Sequence, residues 1–322
     1  MQAIQLEHIG GPEVLHVVET PLPTAKAGEI VVRNKYAGVN FIDTYYRSGV
    51  YPTQLPTLLG QEGAGEVVAI GDGVETVSVG NSVAYLGSQN TYAQYTVVDA
   101  TQAMQFDSDV VSYETAAASL LQGLTAHTLI TRSYEVKPND WVLVQAGAGG
   151  TGRILAQMCK LAGANVISTV SSKQKAEVAK QAGADYTILY TEESVSEAVR
   201  RIIPDGVHVV YDGVGKSTFE GSIASLRRTG TMVSFGNASG TVPPVNLLSL
   251  GKDNIVLLRP RLYGYIVTSE ERNRHFGALA ELIAKKKLDF QIFKIYELKD
   301  AAQAHIDLQS RKTTGKLLLR IP

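Results

Sequence analysis

Gly147, Gly149 and Gly152 stand in the spacing G-x-G-x-x-G within residues 146–152 (AGAGGTG). That spacing suits a dinucleotide. One glycine makes a tight turn, one lets the backbone approach a pyrophosphate, and one lets a helix pack closely on a strand. Backbone N–H groups at the start of the following helix, from Gly149, Gly150, Thr151 and Gly152, then face the anion. The context is right: an apolar stretch at 141–145 (WVLVQ) precedes the loop, a helical stretch follows it, and a second apolar stretch begins at Asn165. The bland alternative is a glycine-rich turn with no ligand.

NAD-preferring sites place Asp or Glu after the second strand, on the adenosine ribose. Here the stretch 165–170 is followed by Ser171-Ser172-Lys173-Gln174-Lys175, with two hydroxyls, two ammonium groups and no carboxylate. A carboxylate would repel a 2′-phosphate, whereas Ser and Lys attract it. The expected cofactor is NADPH, and the alternative is a solvated basic first turn.

Other residues that could carry chemistry give less. Of 15 tyrosines, Tyr36, Tyr45, Tyr46 and Tyr51 are dense in sequence; their rings and hydroxyls suit a flat ligand with polar oxygens, or simply packing. No tyrosine has Lys four residues later, which argues against a Tyr-Lys catalytic pair. The six histidines are scattered and no two lie three to five residues apart. Cys159, on the helix behind the glycine loop, reads as core. Asn237-Ala238-Ser239 is a formal glycosylation sequon, expected to stay bare. Lys285, Lys286 and Lys287 read as a solvated helix end.

These residues need two kinds of scaffold. Over the first 120 residues, short strands (29–36, 65–70, 82–85, 93–98) alternate with Gly/Pro turns, a pattern expected of a compact partial barrel. Residues 116–131 then read as a helix. Apolar strands at 141–145, 165–170, 185–190, 208–211 and 231–235 alternate with helices at 151–161, 174–182, 194–203 and 218–226, which predicts an α/β doubly wound parallel sheet. A helix at 270–284, a strand at 290–296, a helix at 300–309 and a strand at 316–321 return to the mixed character of the start. The expected domains are 1–123 with 268–322, β-rich, and 124–267, nucleotide-binding.

Composition narrows the class. With 19% charged and 44% hydrophobic residues over 322 positions, the chain is not disordered. A formal net charge of −1 offers no global field for nucleic acid or anionic membrane. One cysteine excludes a disulfide framework and a cysteine-based zinc site. No apolar run approaches the ~18 residues of a membrane span, and no signal segment opens the chain; a cytoplasmic protein is expected.

Residues 38–44 (GVNFIDT) and 60–65 (GQEGAG) resemble the medium-chain dehydrogenase/reductase superfamily. Its zinc alcohol dehydrogenases carry a Cys ligand in the first segment and Gly-His-Glu in the second, where this chain has Asn40 and Gln61. Without about three protein ligands a catalytic zinc is not expected. The whole chain is similar to the quinone oxidoreductase/zeta-crystallin family, through residues 10–15 (GGPEVL), 40–52 (NFIDTYYRSGVYP), 116–127 (AAASLLQGLTAH), 209–215 (VVYDGVG), 233–240 (VSFGNASG), 259–265 (RPRLYGY) and the tail SRKTTGKLLL.

The resemblance implies a GroES-like β-rich catalytic domain plus a Rossmann domain, and NADPH-dependent quinone reduction. It implies pyrophosphate contacts at Gly150 and Thr151, the 2′-phosphate near Ser171 and Lys175, and adenine beside Tyr190. Nicotinamide-side contacts are implied at Phe41, Asp43, Thr128, Val214, Phe235, Gly236, Asn237 and Ser239, with Leu262, Tyr263, Arg311 and Lys316 as further candidates. Asn40, Asp43, Tyr45 and Tyr51 are the implied catalytic residues. This chain departs from the family at Thr151 and Arg153, where apolar residues are usual, and at Ala126-His127-Thr128, where an aromatic pair is common. Thr151 adds a hydroxyl to the phosphate site; Arg153 is expected at a solvated helix position.

Two other functions stay open here. Reduction of an activated alkene such as an enone needs the same hydride delivery. RNA binding, known among zeta-crystallin relatives, would need a local patch from Arg227, Arg228, Arg259, Arg261 and Lys285 to Lys287. An apolar strand at 255–259 would be left as an open sheet edge in a monomer, which predicts a homodimer or larger homo-oligomer.

Overall fold

The computed structural model describes residues 1–87 and 90–322. The chain divides into two compact units, Met1–Leu121 with Phe290–Pro322, and Gln122–Asp289.

The first unit is built on β1 (Gln2–Leu6), β2 (Leu15–Glu19), β3 (Glu29–Val39), α1 (Phe41–Arg47), β4 (Thr57–Leu58), β5 (Glu62–Ile70), β6 (Ser82–Leu86), β7 (Tyr95–Asp99), β8 (Ala103–Gln105) and the start of α2 (Tyr113–Thr128). β1, β2 and β4 make a small antiparallel sheet. β3 organises the larger sheet because it is long enough to serve two partners on one edge: residues 29–33 pair with β7 and residues 36–39 with a C-terminal strand, while the other edge pairs with β5. Its apolar residues accordingly feed two cores. Ile30 and Val32 pack with Val67, Val83, Tyr85 and Val98; Ala37 and Val39 pack with Ile4, Leu6, Leu59, Leu317 and Leu319.

The second unit alternates β9 (Trp141–Val144), α3 (Gly150–Leu161), β10 (Asn165–Val170), α4 (Lys173–Gln181), β11 (Tyr186–Leu189), α5 (Val195–Ile202), β12 (Val207–Asp212), α6 (Phe219–Ser225), β13 (Leu226–Ser234), α7 (Leu248–Gly251), β14 (Val256–Leu258) and α8 (Ser269–Ala284). All six strands are parallel, in the order β11-β10-β9-β12-β13-β14. The order reverses between β9 and β12, and doubly wound sheets bind ligands outside the carboxyl ends of the strands at such a point. Leu143, Ile167, Val210 and Met232 carry one buried face across β9, β10, β12 and β13.

The chain returns to the first unit at 290, through β15 (Ile292–Glu297), α9 (Ala301–Gln309) and β16 (Lys316–Arg320). The sequence pattern turns back at 268, but α8 sits with the second unit. Leu279 methyls lie 2.7 Å from where a Cβ on Gly123 would stand, so α8 packs directly on the backbone of α2. Arg153 and Gln157 of α3 also hold Asp289. Among the described residues, no helix is long and apolar enough to cross a membrane.

Candidate functional site

In the second unit the glycine loop leaves β9 and enters α3 with the geometry an anion needs. Gly149 caps α3 in extended conformation without a side-chain cap, and no acidic residue occupies the first turn. The N–H groups of Gly150, Thr151 and Gly152 precede the first intrahelical donor, Arg153, which reaches Gly149 O at 2.9 Å. Gly152 is required by packing, because a Cβ there would come within 2.4 Å of the Ala146 carbonyl oxygen. Ala146 itself takes a left-handed φ of 55°. Its N–H donates to Thr169 Oγ1 (3.1 Å) and its carbonyl accepts the Gly149 N–H (2.9 Å), which hold the tight turn; the Gly149 N–H, expected to face the anion, is instead committed inside the loop.

The basic stretch after β10 folds as a capped helix start. Ser172 caps α4, its hydroxyl accepting the Lys175 N–H at 3.3 Å. The first turn of α4 has no acidic residue. Lys175 is half-buried, and burial pushes its ammonium below the ordinary lysine value. Tyr190 joins this corner: its N–H donates to Val170 O at 3.2 Å, and the Thr191 hydroxyl donates to Ser171 O at 3.4 Å. Ser171, Lys175 and Tyr190 are thus brought together at the carboxyl ends of β10 and β11.

A third loop cluster is organised by Asp212, the last residue of β12. The buried carboxylate accepts the N–H groups of Val214 (2.8 Å) and Gly215 (3.0 Å) on Oδ1, and the hydroxyls of Thr218 (2.7 Å) and Ser222 (2.8 Å) on Oδ2. Val214 O accepts both the N–H and the hydroxyl of Ser239 at 2.8 Å. Phe235 N–H donates to Asp212 O at 2.8 Å. Val214, Phe235, Gly236, Asn237 and Ser239 therefore converge.

Gln145 ties this cluster to the glycine loop. Its Oε1 accepts the Thr169 hydroxyl (2.6 Å) and its Nε2 donates to Ser222 Oγ (3.0 Å). Sequence reasoning misses this tie; a polar residue ending an otherwise apolar strand is the signal that could have found it. Leu262 and Tyr263 lie in a short half-buried turn. Thr128 is buried, with its hydroxyl donated back to Leu124 O and Thr125 O inside α2.

Arg153 is not the solvated helix position expected of it: it is buried, paired with Asp289 at 2.7 Å and donating to Val178 O. Two of the six histidines, distant in sequence, meet in space: the Nδ1 atoms of His127 on α2 and His275 on α8 are 2.9 Å apart. Burial and the facing His275 push His127 down to about 4, and burial also lowers His275.

In the first unit the short helix α1 carries an aromatic cluster. Phe41 and Tyr45 rings are 6.4 Å apart, Tyr45 and Tyr51 meet edge to face at 5.2 Å, and Tyr46 and Tyr51 at 5.7 Å. Tyr51 N–H donates to Tyr45 O at 3.1 Å, closing the loop back on the helix. The density of tyrosines in sequence overstates the cluster. Tyr36 lies on β3 facing Glu114 and Arg320, and Tyr46 also packs on the core around Ile4 and Leu317.

Asn40, Glu62 and Lys316 form a buried polar knot. Lys316 Nζ donates to Asn40 Oδ1 (2.7 Å) and pairs with Glu62 Oε1. Asn40 Nδ2 donates to Glu62 Oε1 (3.0 Å) and Gly38 O (3.2 Å), so both amide hydrogens are committed inside the protein. Glu62 Oε2 accepts the Leu121 N–H at 2.7 Å. Glu62 is the member of this knot that sequence reasoning passes over, although it ends the quoted Gly60-Gln61-Glu62 motif. Asp43 is fully buried; burial pushes its carboxyl up to about 7 against the hydrogen bonds from Tyr92 and the Asn40 backbone. Arg311 is exposed, with a left-handed φ of 62°. Among the described residues, no three His, Cys, Asp or Glu side chains converge to hold a metal.

Comparison with known proteins follows the same division. Residues 26–108 match the alcohol dehydrogenase GroES-like domain, and residues 150–285 match the zinc-binding dehydrogenase family. A quinone oxidoreductase of Salmonella typhimurium is 48% identical over 98% of both chains. The crystal structure of Escherichia coli quinone oxidoreductase complexed with NADPH superposes with a TM-score of 0.96 at 43% identity, covering 99% of this chain and 100% of that one. A 2-haloacrylate reductase of a Burkholderia species is 34% identical over 96% of both chains. With full-length identity at this level and the two domain types in the same order, the chain belongs to the quinone oxidoreductase family of the medium-chain dehydrogenases/reductases.

Proposed function

We propose that this protein catalyses the NADPH-dependent reduction of quinones without a catalytic metal, with NADPH held by the 122–289 unit and the quinone by the unit of residues 1–121 and 290–322. The observation that carries the cofactor is the pairing of an α3 N-terminus that has no side-chain cap and no acidic residue with a first turn of α4 that offers Ser172 and Lys175 and no carboxylate. The N–H groups of Gly150 to Gly152 take the pyrophosphate, Ser171 and Lys175 take the 2′-phosphate, and Tyr190 lies along the adenine. The loops held by Asp212 and Ser239, with Phe235, Gly236 and Asn237, orient the nicotinamide. When bound, NADPH supplies the hydride.

The quinone is read against the aromatic face of α1. Tyr45 and Tyr51 pair flat apolar rings with hydroxyls able to donate to an oxygen gaining negative charge. Asn40 has no spare amide hydrogen, so it supports this face instead of donating to the substrate. NADPH oxidation against a panel of small quinones tests the reading: turnover with benzoquinones and a clear preference over NADH are expected, and its absence with every quinone would reject it.

A second reading, reduction of an activated alkene, is favoured by the similarity to a 2-haloacrylate reductase. Enones in the same panel separate the two. The chain is also taken as a cytoplasmic homodimer. β14 is an edge strand with Val256 53% exposed, and pairing across a two-fold axis would cover it. A monomeric mass in sedimentation at micromolar concentration would remove the dimer.

A further inference from the structure

Asp43 lies on α1, the helix that also carries Phe41 and Tyr45. Its Oδ2 accepts two hydrogens, from the Asn40 N–H and the Tyr92 hydroxyl, each at 2.8 Å. Its Oδ1 is sealed from solvent and has no hydrogen-bond partner among the described residues.

The remaining partners of Tyr92 set the direction of every hydrogen. A guanidinium can only donate. The Arg47 group 3.2 Å from His305 Nδ1 therefore makes that nitrogen an acceptor. Burial and Arg47 hold the imidazole neutral, pushed down to about 3, so its one hydrogen sits on Nε2. That hydrogen is directed at the Tyr92 oxygen, 3.3 Å away, which leaves the Tyr92 hydroxyl hydrogen for Asp43. Arg47 is itself fixed by Gly10 O (3.2 Å) and Gln309 Oε1 (2.9 Å). The result is a one-way chain, Arg47 to His305 to Tyr92 to Asp43, that ends on a fully buried carboxyl.

We propose that Asp43 is a positioning residue whose carboxyl holds a proton on Oδ1, and that the Arg47–His305–Tyr92 chain orients it so that α1 presents Phe41 and Tyr45 in one fixed arrangement. Oδ2 already accepts two hydrogens, so Oδ1 is the only seat for the proton. Ionised, the group would leave a negative charge in the interior with one oxygen unsatisfied. Several charged and titratable groups face it. Glu62 on β5 favours the proton; Lys316 on β16, Tyr92 and the Asn40 N–H oppose it. His305 on α9 is neutral, and Arg47 at the end of α1 is itself faced by Glu13. Burial outweighs the opposing groups and brings the carboxyl to about 7.

The effect on turnover rests on the quinone reading above; the proton itself does not, and the test keeps the two apart. Infrared spectra of protein labelled with ¹³C-aspartate report a protonated carboxyl directly, without substrate. At about pH 5.5, above the ordinary Asp value of ~3.9, wild-type protein should show a protonated Asp band that titrates with a midpoint near 7. The band should be absent in Asp43→Asn. Its midpoint should rise in Tyr92→Phe, because that change removes a hydrogen bond to the ionised form. In wild-type enzyme, kcat for quinone should change across the same midpoint, and this step should vanish in Asp43→Asn.

No band at about pH 5.5, a band that survives Asp43→Asn, an unmoved midpoint in Tyr92→Phe or a kcat indifferent to the titration would each overturn the proposal. Should Asp43→Asn fail to fold, the Tyr92→Phe midpoint decides. A protein that shows the titrating band but reduces no quinone would reject the quinone reading alone.

Discussion

Lys316 and Glu62 form an ion pair with both side chains only 1% exposed, joining the first residue of β16 to the first residue of β5. Breaking such a pair from one side leaves a charge stranded in the interior, which costs about 3–5 kcal/mol. Lys316→Met is therefore expected to lower the denaturant midpoint sharply. Lys316→Met combined with Glu62→Gln should recover part of the loss, because the stranded charge goes and the glutamine oxygen can still accept the Leu121 N–H. Equilibrium unfolding of the two variants checks the order, and a double variant no more stable than the single one would contradict it.

Lys175 offers the clearest handle on cofactor choice. It is half-buried beside the Ser172 cap with no acidic residue in its turn. A charge-assisted hydrogen bond to a phosphate contributes about 1.5–3 kcal/mol, so Lys175→Ala should weaken NADPH at least ~10-fold. NADH, which lacks the 2′-phosphate, should bind nearly as before. Fluorescence titration of both nucleotides measures the ratio, and equal losses would move the 2′-phosphate elsewhere.

Much of this was legible in the sequence because it is local. The glycine loop, its flanking strand and helix, and the basic turn after β10 are runs of neighbouring residues whose backbone requirements show in residue type. The parallel sheet follows from apolar runs separated by helical ones. What stayed hidden is long-range polar pairing. Lys316 and Glu62 are 254 residues apart, and His127 and His275 are 148 apart. Nothing in the neighbours of Lys316 distinguishes a buried lysine from a solvated one at the start of a strand. Arg153 misleads for the same reason: its burial is decided by Val178 and Asp289, not by its own helix. The return of the chain at 290 was obscured because α8 reads alike in either unit; Gly123, whose missing side chain admits Leu279, settles where it packs.

Tyr51 bridges Tyr45 and Tyr46 edge to face, so its ring and its hydroxyl can be tested separately. Tyr51→Phe keeps the ring contacts and removes only the hydroxyl. If that hydroxyl donates to the quinone oxygen as charge develops, kcat should fall by roughly tenfold, the scale of a net hydrogen bond of about 1.5 kcal/mol. The NADPH dissociation constant should not change. Tyr51→Leu, which also removes the ring, should raise KM for quinone as well. Unchanged turnover in Tyr51→Phe would take the hydroxyl out of the reaction.

The paired imidazoles of His127 and His275 set an acid limit on the fold. Burial and the facing ring hold His127 down at about 4, whereas an unfolded histidine takes up its proton near ~6.5. Between those values the unfolded chain binds more protons than the folded one, so stability falls as pH drops through this window and is fully present above it. His305, buried and pushed down to about 3 by its surroundings, adds a loss of the same sign. Asp43 acts oppositely: its raised carboxyl contributes stability below the ordinary Asp value that fades as pH climbs towards 7. Because two histidines oppose one aspartate, the thermal midpoint should decline from about pH 6.5 towards pH 4. His127→Asn, which retains a polar group facing His275 but cannot titrate, should flatten that decline. Thermal unfolding of both proteins across the window measures it, and parallel curves would mean that the pair is protonated alike in the folded and unfolded chains.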